Sequence, residues 1–178
     1  MFFENLWRDE DVKRMLEKTK KNSIEEDLTY RVYTSRLIGQ AADLVMHGGG
    51  NTSCKSKTKN LHGETIEVLC VKGSGWDLGS IEAPGLPAVM LEPLLRLREL
   101  ESLSDEDMVN VQRANLVDST SPNPSIETLL HAFLPHKFID HTHSTPFLTI
   151  ANLPNNERVL FEIFGQKLAV VPYVMPGF

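Results

Sequence analysis

Three consecutive glycines in His47-Gly48-Gly49-Gly50-Asn51-Thr52-Ser53 constrain the fold most, because a helix or strand rarely continues through such a run. Upstream of it, Leu28, Val32, Leu37 and Ala41 recur at spacings of three to five, which predicts a helix from about Ile24 to Met46. Downstream, Ile66-Glu67-Val68-Leu69-Cys70-Val71-Lys72 is β-branched and apolar and predicts a strand, closed by a second loop, Gly73-Ser74-Gly75. Glycine-rich loops at element ends can fold tightly enough for backbone N–H groups to converge on a phosphate or carboxylate. The competing reading of the triple glycine is a plain flexible turn. Neither loop fits a dinucleotide fingerprint, since Ser53 and Leu78 fall where its third glycine is required, and no Gly-Lys-Ser/Thr forms a P-loop.

The rest of the chain mixes helices and strands. A leucine-rich segment at about 87–101 must hold Pro93 in its first turn or be kinked by it. Ser104-Asp105-Glu106-Asp107 predicts an N-cap and a helix to about Leu116. Asn123 and Pro124 suit an N-cap and first helical position, so a helix is expected from Pro124 to before Pro135, with Glu127 in its first turn. Lys137–His143 and Leu168–Val174 read as strands, and Asn155–Phe164 as a helix capped by Gly165. With no internal repeat, this pattern predicts an α/β fold, one sheet covered by helices. Residues 1–23 are charge-rich and peripheral in this reading, and residues 24–178 form the domain. A strand and turn directly before Phe178 read as a chain cut short.

A net charge of −6 without a basic stripe argues against non-specific nucleic-acid binding. Two cysteines, Cys54 and Cys70, are too few for a disulfide scaffold. No apolar run approaches the roughly 18 residues of a membrane span, and the acidic N-terminus is not a secretory signal. A cytoplasmic protein with reduced thiols is expected.

The chemistry concentrates in Asp140-His141-Thr142-His143 and in Glu127. A His-x-His on an extended segment turns both imidazoles to one face, within reach of one metal ion. A carboxylate on a neighbouring helix can then serve that metal or move a proton. Taken alone, two strand histidines are more often merely hydrogen-bonded, and Glu127 merely a helix-start acid. The neighbouring carboxylate and the two anion loops reverse that preference. His62, His131 and His136 read as surface or packing residues, and His47 as orienting the glycine loop.

Together these segments resemble the class II aldolase/adducin family, from about Asp27 to the end of the chain. The resemblance is carried by Arg31-Val32-Tyr33-Thr34-Ser35-Arg36-Leu37, the His47–Ser53 loop, Val71-Lys72-Gly73-Ser74-Gly75-Trp76-Asp77-Leu78, Pro122-Asn123-Pro124-Ser125-Ile126-Glu127, His141-Thr142-His143, and Pro172-Tyr173-Val174-Met175-Pro176-Gly177-Phe178. The wording is closest to the aldolase halves of bifunctional rhamnulose-1-phosphate aldolase/short-chain dehydrogenases. The resemblance implies a central, mostly antiparallel sheet and a zinc-dependent ketose-1-phosphate aldolase. Gly50 and Asn51 match one phosphate contact, Ser74 and Gly75 a second, and Ser125 a third. His141 and His143 match two of three zinc-binding histidines, and Glu127 the acid/base carboxylate. Ile126 stands where class members often carry a further hydroxyl, and the third histidine of the class falls past position 178. The resemblance also implies a phosphorylated ketose substrate and a homotetramer. A sugar-phosphate epimerase of the same fold and a non-catalytic adducin-like interaction module remain open alternatives.

Overall fold

The computed structural model describes residues 4–19, 23–175 and 177–178. Parts of the expected peripheral segment (residues 1–3 and 20–22) and Pro176 of the last motif lie outside them. In chain order the elements are α1 (Asp9–Glu17), α2 (Ser23–Gly39), β1 (Asn51–Lys59), β2 (Thr65–Val71), β3 (Ala88–Met90), α3 (Leu91–Arg96), α4 (Asp105–Ala114), α5 (Thr128–Phe133), β4 (Phe138–His141), α6 (Thr145–Ala151) and α7 (Asn156–Phe164). Among the described residues one sheet forms, in the order β3-β2-β1-β4, with every neighbouring pair antiparallel. The expected α/β architecture holds.

Period-two alternation along β2 builds both halves of the core. Leu69 and Val71 point to one face, where they pack with Val89, Leu94, Met108 and Leu129 from β3, α3, α4 and α5. Val68 and Cys70 point to the other, where Val32 of α2 closes a second cluster with Val45, Cys54, Leu78 and Ile81. The sheet is thus covered on both sides. Arg31, buried at 1% exposure, fixes α2 to the sheet. Its guanidinium donates to the carbonyls of Ser53 and Ile139 and pairs with Asp140 at 2.7 Å, so one side chain grips β1 and β4 together. At the N-terminal side, α1 buries Val12, and Trp7 sets its ring edge-on to Tyr33 at 5.1 Å.

β2, the Ser104 cap, Pro93 within the first turn of α3, and α7 with Gly165 behind it all form where the sequence places them. The differences have identifiable causes. α2 stops at Gly39 rather than Met46, because its end abuts the 3₁₀ turn Leu78–Ser80; a Cβ on Gly39 would stand 2.1 Å from the Gly79 nitrogen. Residues 88–90 of the leucine-rich segment form a strand, since β2 offers them a partner edge. β1 has no hydrophobic signature, yet Thr52, Ser53 and Ser56 are buried because each hydroxyl finds a partner: Ser35, His131 and Asp27 respectively. The helix expected from Pro124 starts only at Thr128, so Glu127 is its N-cap and not a first-turn residue. Residues 123–125 instead stay extended against the end of β2, with Ser74 N–H donating to the Asn123 carbonyl and Ser125 N–H to that of Lys72. β4 ends at His141, short of His143, and the expected strand Leu168–Val174 has no β-partner among the described residues.

The Gly39 contact is with backbone, which cannot swing aside as a flexible side chain can. Gly39→Ala is therefore expected to destabilise the fold by roughly 3 kcal/mol, read as a lower midpoint in urea unfolding. An unchanged midpoint would show that the helix end and the 3₁₀ turn are not in contact.

Candidate active site

Antiparallel pairing alone brings the motifs together. β1 runs opposite to both β2 and β4, so its first residue lies at the edge where those strands end. Asn51 pairs with His141 and Ser53 with Val71. The loop 47–50 entering β1, the loop 72–75 leaving β2, the segment 123–127 and the turn 141–143 leaving β4 therefore share one rim. The rim is tight. Gly50 sits at φ +68, and a Cβ there would fall 2.5 Å from the His141 carbonyl oxygen and 2.8 Å from Val45. A Cβ on Gly49 would meet the His143 ring at 3.2 Å, so the glycine run lets the backbone pass against both histidines.

Glu127 occupies the centre of a hydrogen-bonded cluster. Its Oε2 accepts from Asn51 Nδ2 at 2.9 Å and from the Ser125 hydroxyl. Asn51 Nδ2 also donates to Ser125 Oγ at 3.1 Å. Burial pushes the Glu127 carboxyl up, but the hydrogen bonds from Ser125 and Asn51 and the nearby His141 outweigh it, leaving the group below its ordinary value. It is thus a carboxylate at neutral pH, half-buried and held by two donors. The cluster continues inward to His131, whose Nε2 lies against Asn51 Oδ1 and whose Nδ1 is 2.7 Å from Ser53 Oγ.

His141 and His143 lie side by side, ring centroids 4.9 Å apart and planes inclined at 60°. Burial lowers the basicity of His141, with opposition from Glu127 and reinforcement from His143 and Lys72. His141 Nδ1 is buried and has no hydrogen-bond partner. A buried ring nitrogen without a partner is costly, and beside a second imidazole it is the donor arrangement a divalent metal accepts. The residues present fit two ligands of such a centre. Among the described residues no group of three or more histidine, cysteine or acidic side chains completes it.

Two further charged residues stitch the loops together. Asp77 accepts from Gly48 N–H at 3.0 Å and from Gly79 N–H at 2.7 Å. Lys72, buried, donates to the Gly48 carbonyl at 3.1 Å. Burial draws the Lys72 ammonium below its ordinary basicity, against the charges of Asp77 and Glu127. Ser74 and Gly75 stand exposed at the rim beside this cation, with open space where a Gly75 side chain would be. A positive charge between two glycine loops suits an anionic substrate group.

The structure thus gathers Gly50, Asn51, Ser74, Gly75, Ser125, Glu127, His141 and His143 at one edge of the sheet. The Asn51 amide nitrogen faces both Glu127 and Ser125. Sequence reading passed over Lys72, Asp77 and the internal bonding of His131. His131 had one usable signal, its position four residues after Glu127, which the expected helix from Pro124 would set on one face. Lys72 had another, a charge closing an apolar strand just before a glycine loop.

The family model described as Class II Aldolase and Adducin N-terminal domain matches residues 31–178. The chain is 39% identical over 167 residues to the Bacillus subtilis (strain 168) protein named uncharacterized oxidoreductase YuxG, covering 94% of this chain and 24% of that protein. It therefore spans about a quarter of that curated relative's length. The fold is similar to the N-terminal class II aldolase domain of a conserved protein from Thermoplasma acidophilum, with a TM-score of 0.85 and 38% identity over 99% of this chain and 76% of the other.

Burial pushes the His131 imidazole down to about 4, against an ordinary value of 6.5. Between these two values the unfolded chain binds the extra proton and the folded chain does not. This component of stability is complete above pH 6.5 and is lost as pH falls toward 4, with a slope of up to about 1.4 kcal/mol per pH unit. Urea unfolding at about pH 7 and about pH 5 should show that loss, and His131→Gln should flatten it. Equal slopes in the two proteins would contradict a buried, neutral His131.

Proposed function

From the premise that this chain belongs to the class II aldolase and adducin N-terminal domain family, we propose that it carries the site of a zinc-dependent ketose-1-phosphate aldolase of the rhamnulose-1-phosphate type. Class II aldolases typically use a divalent metal. The observation that carries the reading is the juxtaposition of an ionised, doubly hydrogen-bonded Glu127 with two imidazoles, one of which has an orphaned ring nitrogen. The name oxidoreductase borne by the much longer Bacillus relative suits a chain in which an aldolase-type domain is joined to a dehydrogenase.

His141 and His143 would hold the zinc, whose contribution is Lewis acidity toward the oxygens beside the bond that breaks. The chain's own residues account for the other tasks. Lys72 and the backbone around Gly50, Ser74 and Gly75 bind the substrate phosphate, remote from the reacting carbons, and use that affinity to orient the ketose. Glu127 accepts the hydroxyl proton of the aldehyde-forming fragment as the carbon–carbon bond breaks. The bonding pair stays on the ketose fragment, and Glu127 returns the proton to that carbon. Cleavage yields dihydroxyacetone phosphate and lactaldehyde. Ser125 and Asn51 keep Glu127 ionised before it accepts the proton and aimed throughout the exchange.

Aldehyde release from rhamnulose 1-phosphate with added zinc is the direct test. Glu127→Gln should lower kcat by about 10²–10⁴-fold while leaving substrate binding largely intact. Zinc measured by elemental analysis should fall in His141→Ala, whether or not the chain is active. An epimerised ketose phosphate with no free aldehyde would transfer the site to an epimerase. Normal zinc in His141→Ala would remove the histidine pair from the metal centre.

A further inference from the structure

A side-chain amide offers a donor at one end and an acceptor at the other, and a carboxylate tolerates only the donor. Asn51 presents Nδ2 to Glu127 and Ser125, so its Oδ1 is turned inward against Nε2 of His131. An amide oxygen has no proton to give, so Nε2 must be the donor. Neutral imidazole carries one N–H, which leaves Nδ1 as an acceptor for the Ser53 hydroxyl. Ser53 and His131 are 0% exposed and Asn51 is 4% exposed. The bonding pattern is therefore set by protein groups rather than by bulk water. Reversing the His131 tautomer would make Nε2 an acceptor, turn Nδ2 of Asn51 toward it, and set Asn51 Oδ1 against the Glu127 carboxylate.

We propose that His131 is a positioning residue for Glu127: its Nε2–H fixes which end of the Asn51 amide faces outward, and that amide holds the carboxylate in place. Ser53 anchors the relay by donating to Nδ1, so its order is Ser53, His131, Asn51, Glu127. Three of its members come from buried parts of β1 and α5 that meet across the sheet face. The kinetic part of this inference rests on the reading of Glu127 as the proton carrier; the structural part does not.

Long-range ¹H–¹⁵N correlation spectra of the 178-residue chain at neutral pH report the tautomer directly. The expected result is a neutral His131 protonated on Nε2; an Nδ1–H tautomer or an imidazolium would overturn the proposal. Crystal structures of two variants supply the second arm. His131→Gln keeps an N–H donor close to the place of Nε2, and His131→Leu removes it. The Asn51–Glu127 hydrogen bond should persist in the first and be lost in the second, and its survival in His131→Leu would also overturn the relay. In the aldol cleavage assay, His131→Leu should lose about 10–100-fold in kcat with KM changed less than about threefold, and His131→Gln should regain most of that loss. A folded His131→Gln no better than His131→Leu, or a loss confined to KM, would count against it. If the unaltered chain releases no aldehyde, the aldolase reading fails, and the spectra and variant structures alone decide the relay.

Discussion

The arrangement of the site depends on the side-chain amide of Asn51. It is the first residue of β1, the register partner of His141, and the group to which the acid preceding α5 and the buried histidine behind it are both bonded. A side chain with one donor end and one acceptor end converts the charge of Glu127 into a directional constraint that reaches the core. No apolar or singly functional residue at position 51 could satisfy both neighbours, because one needs a proton and the other supplies one. The preceding glycine makes this placement possible, since only a residue without a Cβ lets the chain enter β1 in contact with the His141 carbonyl.

Around that amide the fold pairs most of the polar groups it buries. Arg31 bonds carbonyls of two strands and an aspartate, Thr52 faces Ser35, and Ser56 faces Asp27. Each hydrogen bond contributes modestly to stability, but leaving any member unmatched in the interior costs more than the bond itself contributes. The result is a rigid platform: α2 on one face and α3, α4 and α5 on the other hold the sheet, while its edge carries the chemistry. Arg31 Nε, Gln112 Nε2 and His141 Nδ1 depart from that pairing, and the last of them lies at the edge that carries the proposed metal site.

The chemical division of labour follows from the same geometry. Cationic Lys72 lies beside the two glycine loops, and the anionic carboxylate lies beside the imidazoles, with Asp77 tying the loops so that neither shifts independently. The proposed reaction, with an anion bound at one end and a proton moved at the other, requires these groups to be fixed relative to one another. The antiparallel sheet supplies that fixity more reliably than loops alone could.

The sequence by itself determined the local units: β2 from its β-branched run, α4 from the Ser104 cap, α7 with its closing glycine. It also marked the residue types of the site, because glycine runs, a His-x-His pair and an acid next to Pro-Ser have few other uses together. Only the tertiary structure decided the rest. β1 is a strand because partners for its hydroxyls arrive from distant parts of the chain, which hydrophobic patterning cannot register. The helix after Pro124 is delayed to Thr128 because the end of β2 recruits residues 123–125 as an extended neighbour, overriding a favourable local N-cap signal. His131 reads as a packing residue until its two ring nitrogens are seen facing Ser53 and Asn51. Local signals encode backbone preference; which donor meets which acceptor is fixed only when separated segments meet.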